Sequence, residues 1–175
     1  ALLDVTGINV NTANQYGNTA LIDAAANGYK DIVNALLAND VVNVNADNNN
    51  GNTALMLASY KGHTDIVKAL LAKEGIDANA ADQDGDTALI DAAANGHTDI
   101  VNALLDVTGI NAKNDDGNTA LIYAAQNGHT GTVNALLENS AEVNVANNNG
   151  NTALICAAAY GHTDIVNALL AKGAK

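Results

Sequence analysis

Gly17-Asn18-Thr19-Ala20-Leu21-Ile22 is the stretch that decides the fold, because the chain repeats it at a nearly constant interval. In successive steps of 34, 34, 32 and 33 residues, related hexapeptides begin at Gly51, Gly85, Gly117 and Gly150. A second motif, Gly62-His63-Thr64-Asp65-Ile66-Val67, keeps the same step and begins again at Gly96, Gly128 and Gly161, after a divergent first copy at Gly28. A fixed period of about 33 residues indicates a repeat architecture.

Each unit contains the signals for two short helices. Thr19 is a suitable N-cap, and the residues after it place Leu21, Ala24 and Ala25 on one helical face. Gly28 ends this helix, because glycine readily adopts the left-handed turn that closes many helices. The second helix has an apolar face of its own, made of Ile32, Val33, Leu36 and Leu37.

One such helix pair cannot bury its own apolar stripe, so successive units have to stack on one another. The sequence therefore predicts a single domain over residues 1–175, an elongated all-α solenoid of helix-turn-helix repeats. Its units are a partial repeat at 1–16 and full repeats at about 17–50, 51–84, 85–116, 117–149 and 150–175.

This unit resembles the ankyrin repeat over nearly the whole chain. The hallmark of that family is Thr-Pro-Leu-His-x-Ala-Ala, followed by Gly-His and a valine-rich second helix. Two departures are systematic, since alanine replaces the proline at 20, 54, 88, 120 and 153, and Ile22, Met56, Ile90, Ile122 and Ile155 replace the histidine. The resemblance implies an ankyrin-type solenoid whose helix pairs are joined by β-turn fingers. The second departure replaces the family's Thr–His hydrogen bonding with apolar contact between layers.

The two ends of the chain resemble its middle. Residues 1–9 copy residues 103–111 almost residue for residue, so we expect the chain to open inside a second helix, and residues 169–175 close it just past another. No polar capping repeat is visible, although solenoids usually need one. We expect either an excised stretch of a longer array or a chain whose terminal apolar faces are tolerated or paired, with end-to-end self-association as a consequence.

Composition excludes several classes of partner. The chain has 175 residues, 48% hydrophobic residues and a net charge of -12, and it contains 28 Asn but no Arg, Phe, Trp or Pro. An acidic chain without Arg is unsuited to nucleic acid or to anionic membrane surfaces. No apolar run approaches the ~20 residues that a membrane span needs. The chain begins at Ala1 without a signal peptide, so we expect any targeting segment to be absent or already removed.

No motif predicts catalysis, a metal or a cofactor. The four histidines, at 63, 97, 129 and 162, occupy one place in each repeat, whereas metal ligands must converge on one centre, so we interpret them as structural. The turn at 80–85 superficially resembles a calcium loop ending at Asp91, but Ala80 holds the first ligand position. We interpret it as a polar turn with Asn and Asp in left-handed conformations. Cys156 is a lone small hydrophobe with no histidine near it in sequence.

The candidate binding residues point away from the stack. In proteins similar to this one, the second, fifth and sixth residues after the hallmark leucine and the turn tips line a concave groove. Acidic residues and tyrosines mark these places in this chain, and the partner-binding set that we predict is Tyr60, Asp84, Asp86, Asp91, Asn95, Asp115, Asp116, Tyr123, Gln126 and Tyr160. Tyrosine is enriched at interface hot spots, and the acidic field favours a protein partner with a basic patch.

Three functional classes fit these observations. The first is a non-catalytic protein-binding module that uses the groove and the turn tips. The second is a structural or engineered repeat scaffold without a natural partner. The third is the regulatory ankyrin segment of a larger enzyme or effector whose catalytic part lies elsewhere.

Overall fold

The computed structural model describes residues 9–175 of the chain. These residues contain ten α-helices, arranged as five consecutive pairs. The first helix of each pair is α1 (Ala20–Ala26), α3 (Ala54–Lys61), α5 (Ala88–Ala94), α7 (Ala120–Gln126) or α9 (Ala153–Ala159). The second is α2 (Lys30–Leu37), α4 (Thr64–Leu71), α6 (Thr98–Leu104), α8 (Thr130–Glu138) or α10 (Thr163–Ala171). The all-α solenoid is confirmed. The expectation that the chain opens inside a second helix concerns residues outside those described.

The helix boundaries follow from the repeated motif. Thr19 caps α1, its side-chain oxygen accepting the N–H of Ile22 at 3.3 Å, and a threonine does the same for each later first helix. Gly28 has the expected positive φ of 77°. Our expectation of left-handed Asn and Asp in the turns was wrong, because Ser140 is the only non-glycine residue with positive φ between 9 and 175. The turn glycines take that conformation, and the Asn and Asp side chains accept backbone N–H groups instead.

The core is continuous from one repeat to the next. The hallmark leucines of the first four repeats are at most 2% exposed, and the small residues three and four places later are also buried. The residues that replace the hallmark histidine, Ile22, Met56, Ile90 and Ile122, are 1–2% exposed. Apolar burial therefore replaces the hydrogen bonding of the hallmark histidine, as the sequence predicts. In the last repeat, Ile155 is instead 47% exposed.

Histidines connect each repeat to the one before it. The ring Nε2 of His63 donates to the carbonyl oxygen of Ala26 at 3.3 Å, at the end of the preceding first helix. The same bond joins His97 to Tyr60, His129 to Ala94 and His162 to Gln126. This role agrees with the structural interpretation of the four histidines.

Asparagines form a second ladder along the loops after the second helices. Asn45 donates to the carbonyl oxygen of Gly75 at 2.7 Å and accepts the N–H of Asp77 at 2.8 Å. One asparagine per repeat accepts a backbone N–H from the following loop in this way, at positions 11, 45, 79, 111 and 144. Asparagine suits this place because its amide both donates and accepts.

Ser59 stands in a core position that alanine holds in the other repeats. Its side chain is fully buried and its hydroxyl oxygen has no hydrogen-bond partner. Since a buried unsatisfied polar group destabilises a protein by about 1–3 kcal/mol, we expect Ser59→Ala to raise the free energy of unfolding by about 1 kcal/mol. Urea denaturation followed by circular dichroism would measure it. The converse substitution, Ala93→Ser, should lower stability by a similar amount, and a gain from Ala93→Ser would contradict the explanation.

Candidate functional site

Along the stack, the first helices pack more closely on one another than the second helices do. We define the groove face as the second, fifth and sixth residues after the hallmark leucine of each repeat: Asp23, Ala26, Asn27, Leu57, Tyr60, Lys61, Asp91, Ala94, Asn95, Tyr123, Gln126, Asn127, Cys156, Ala159 and Tyr160.

The polar turns form a row of fingers beside this face. We define the finger tips as residues 15–16, 49–50, 83–84, 115–116 and 148–149. Each finger bonds to the one before it through the backbone, as when the N–H of Asp115 donates to the carbonyl oxygen of Asp84 at 3.0 Å. Equivalent bonds of 2.9–3.1 Å start at Asn49, Gln83 and Asn148. These backbone bonds therefore hold the finger tips at a fixed spacing.

A small cluster of side chains lies between each finger and the first helix that follows it. In the first repeat, both carboxylate oxygens at the centre of this cluster accept a hydrogen bond. In the first repeat, the carboxylate of Asp23 accepts hydrogen bonds from the side-chain amides of Asn18 at 2.7 Å and Asn14 at 3.3 Å. Two neutral donors thus face one acid. This pairing shows which side chains the groove-face acid meets at the base of a finger.

The fourth repeat replaces the acid with Tyr123. The side-chain amides of Asn114 and Asn118 contact its hydroxyl oxygen at 3.1 and 3.4 Å, and its ring packs partly buried against the core. We predicted a binding role for Tyr123, but the structure gives it two intramolecular bonds. Less of this ring is available to a partner than its sequence position suggested.

The third repeat replaces both amide donors with acids. Asp82 and Asp86 stand where the first repeat has Asn14 and Asn18, beside Asp91. Burial raises the pKa of Asp91 to about 8, and the negative charges of Asp86 and Asp82 add to the effect. Burial also raises the pKa of Asp86. Because Asp91 keeps its proton at neutral pH, its position carries less charge there than its residue type indicates.

Asp86 does not lie at a finger tip, where its sequence position placed it. The structure puts it, partly buried, between the finger and α5, where its carboxylate accepts the side-chain amide of Asn114 at 2.8 Å. Asn48 and Asn147 donate in the same way to Asn18 and Asn118 of the preceding repeats. The sequence analysis did not predict these hydrogen bonds between repeats, although the recurrence of asparagine at the same place in successive repeats could have indicated them.

The acids at the finger tips are an exposed part of the predicted site. Asp84, Asp115 and Asp116 are all exposed, on two consecutive fingers that the backbone bond joins. Asn95 is partly buried, and its amide donates to the carbonyl oxygen of Asp91 at 2.9 Å. Gln126 is also partly buried.

Two tyrosines, in the second and the last repeat, present exposed rings on the groove face. Tyr60 is 46% exposed, and the ammonium of Lys61 lies 5.1 Å from its ring centroid. Tyr160 is 62% exposed and lies nearly parallel to the ring of His162, with the centroids 6.5 Å apart. Such rings offer apolar area together with a hydroxyl, a combination that suits protein interfaces.

Within residues 9–175, no group of three or more His, Cys, Asp or Glu side chains is placed to hold a metal ion, and no helix is long and apolar enough to cross a bilayer. Burial raises the pKa of the Cys156 thiol, which disfavours the nucleophilic thiolate.

Family models match the chain along almost all of the length that these repeats span. A model of the single ankyrin repeat matches residues 16–49, and a model of three consecutive ankyrin repeats matches residues 41–114 and again 107–175. The chain belongs to the ankyrin repeat family. Ankyrin repeats are generally protein-interaction modules. No curated protein matches it.

Proposed function

We propose that this ankyrin chain binds a protein with a basic surface patch through its groove face and finger tips, and that it catalyses no reaction. The observation that supports this proposal best is the exposed acidic pair of fingers formed by Asp84, Asp115 and Asp116. Complementary charge at an interface selects partners and accelerates their encounter. The net charge of -12 adds a long-range field of the same sign.

The exposed tyrosines complete the proposed contact. Tyr60 and Tyr160 lie on either side of the repeats that carry the acidic fingers, so a partner that spans the groove reaches both rings and acids. In this arrangement, the rings supply buried apolar area, while the finger acids give specificity. Membership of the ankyrin repeat family supports a protein-binding role, and the charge pattern of this chain supports a partner with a basic patch.

An affinity capture with matched baits tests the proposal. One bait carries Asp84→Asn, Asp115→Asn and Asp116→Asn, and the control bait carries Asp99→Asn, Asp106→Asn and Asp164→Asn, three exposed acids away from the fingers. Both variants change the net charge equally. We expect the wild-type and control baits to retain a basic protein that the finger variant loses, with a dissociation constant at least about tenfold weaker for the finger variant.

Salt dependence then separates charge complementarity from other binding. Binding of the captured protein to the wild-type chain should weaken as the salt concentration rises, because salt screens exposed charges. Equal loss of binding in both variants would point to net charge alone. Undiminished binding by the finger variant would remove the finger tips from the site.

A further inference from the structure

Side-chain amides form a ladder across the finger tips, beside the backbone bonds already described. The side chain of Asn49 donates to the carbonyl oxygen of Gln15 at 3.1 Å, and that of Gln83 donates to the carbonyl oxygen of Asn49 at 2.7 Å. Asn148 donates in the same way to the carbonyl oxygen of Asp115 at 2.8 Å. We call each of these bonds a tip rung. A tip rung joins the first tip residue of one finger to the first tip residue of the finger before it.

The step between the third and fourth fingers has no tip rung. Asp115 stands where Asn49, Gln83 and Asn148 have an amide, and an ionised carboxylate has no N–H to donate. Within residues 9–175, no side chain donates a hydrogen bond to the carbonyl oxygen of Gln83. The backbone bond from Asp115 to Asp84 is still present at 3.0 Å, so these two fingers lie next to each other like the rest.

The side chain of Asp115 has the orientation of the amides that it replaces. Oδ1 of Asn148 lies 2.6 Å from the point that a Cβ at Gly117 would occupy, and Oδ1 of Asp115 lies 2.8 Å from the same point at Gly85. In Asn148, the other terminal atom is the nitrogen that donates to the preceding finger. The second carboxylate oxygen of Asp115 takes the place of that nitrogen, so two acceptor oxygens face each other across the step.

The described part of the chain supplies no cation to these oxygens. Lys113 is the lysine nearest to Asp115 in sequence, but its ammonium donates to the carbonyl oxygen of Ala146 at 3.1 Å, in the following repeat. Among residues 9–175, Asp115 takes part in no ion pair. Gln83 and Asp115 are both exposed. The two acceptors are therefore accessible to a donor from another molecule.

We propose that the Asp115 carboxylate and the Gln83 carbonyl oxygen together hold a lysine ammonium of the protein partner, which completes the missing tip rung. We call this pair of oxygens the lysine anchor. A lysine ammonium carries three N–H donors on a compact charge, so it can bond to oxygens of two fingers at once. A guanidinium is a planar fork that best fits the two oxygens of one carboxylate. The inference rests on the proposed binding of a basic partner and names the side chain that the fingers select.

The neighbouring acids have a different role from the anchor. Asp84 and Asp116 follow the two anchor residues in their fingers, and both are exposed. Their charges attract any cation at longer range. The lysine anchor in addition requires N–H donors, because a carbonyl oxygen and a carboxylate oxygen both have to be bonded. Asp115 should therefore discriminate between cations of equal charge, whereas Asp116 should not.

Two peptides of equal charge separate the anchor from charge attraction. Capped pentalysine supplies ammonium N–H donors, whereas the same peptide with trimethylated lysines keeps every charge and has no such donors. In calorimetric titrations of the whole chain at low salt, we expect the dissociation constant to be at least about threefold lower for pentalysine. Asp115→Asn should weaken the binding of pentalysine and abolish this preference. Asp116→Asn removes the same charge and should weaken both peptides alike while the preference remains.

Moving the carboxylate to another finger tests the position of the anchor. Asn49→Asp combined with Asp115→Asn keeps the net charge and sets a carboxylate opposite the carbonyl oxygen of Gln15. Asparagine already stands at this place in two fingers, so the substitution at 115 should leave the fold intact. We expect the double variant to regain the preference for pentalysine. Addition of pentalysine should then shift the backbone amide NMR signals of residues 15 and 49 rather than those of residues 83 and 115.

The possible results distinguish the anchor from the proposed function. Equal affinity of the wild-type chain for the two peptides, or an unchanged preference in Asp115→Asn, would overturn the lysine anchor while leaving the binding of a basic partner in place. If neither peptide shows salt-sensitive binding to the wild-type chain, both the anchor and the basic partner are wrong.

Discussion

Replacing Ile90 with alanine is expected to lower the free energy of unfolding by about 3–4 kcal/mol, whereas Ile155→Ala should lower it by less than about 1 kcal/mol. Both residues occupy the same place in the repeat, but Ile90 is 2% exposed and Ile155 is 47% exposed. The large value combines the lost burial of three carbon atoms with the cavity that they leave. At Ile155, there is little burial to lose and no cavity to form.

Urea denaturation of the two variants and the wild type measures this difference. Similar losses at the two positions would contradict the burial of the repeat core.

The second large effect should depend on pH. We expect Asp91→Asn to raise the free energy of unfolding by about 2 kcal/mol at pH 8 and to change it little near pH 4. The pKa of Asp91 is about 8 in the folded chain, against an ordinary value of 3.8. Between these pH values the unfolded chain has released the proton that the folded chain retains. The stability due to this group is therefore complete below about pH 4 and is lost as the pH rises toward 8.

The neighbours of Asp91 explain why an asparagine at this position should stabilise the folded chain. Asp86 and Asp82 face it with charges of the same sign, while an asparagine needs no proton to stay neutral. Thermal or urea unfolding of both proteins from pH 4 to pH 8 would give the difference as a curve. A constant difference across that range would show that Asp91 has an ordinary acidity in the folded chain.

Asp23→Asn is the matched control for this prediction. The same residue type at the same place in the first repeat accepts hydrogen bonds from Asn18 and Asn14. The substitution turns one acceptor oxygen into an N–H donor that faces a side-chain amide donor. We therefore expect the free energy of unfolding to fall by about 1 kcal/mol at pH 8. Opposite signs for the two substitutions would establish that the finger residues, rather than the groove-face acid itself, decide the effect.

The repeat period and the local signals were sufficient for the fold. Thr19 and its equivalents mark where the first helices begin, and the Leu-x-x-Ala-Ala spacing marks the buried face. These signals are readable because they act within a few residues of the chain, through capping and helical periodicity. Five copies made each one unambiguous. The histidines could be assigned a structural role from their spacing alone, although their partners could not be named.

The properties of the groove depend on contacts between repeats and were not readable in the same way. The sequence position of Tyr123 predicts an exposed hot-spot residue, but the side-chain amides of Asn114 and Asn118 donate hydrogen bonds to its hydroxyl oxygen. The sequence position of Asp91 predicts a charged residue at the binding site, but burial and two neighbouring acids raise its pKa and favour its neutral form. The fingers and helices that meet at these places are separated in sequence, so burial and charge there are set only when the chain folds.

The sequence by itself therefore determined the architecture of this ankyrin chain, because each repeat encodes its own helix pair and its own stacking face. The tertiary structure alone decided which copies of a repeated residue are buried. Ile90 and Ile155 have the same place in the motif, but within residues 9–175 only Ile90 has a following repeat packed on it, so Ile90 is buried and Ile155 is exposed. Burial depends on neighbours in space, and a repeated sequence does not distinguish the repeat that has such a neighbour from the one that lacks it.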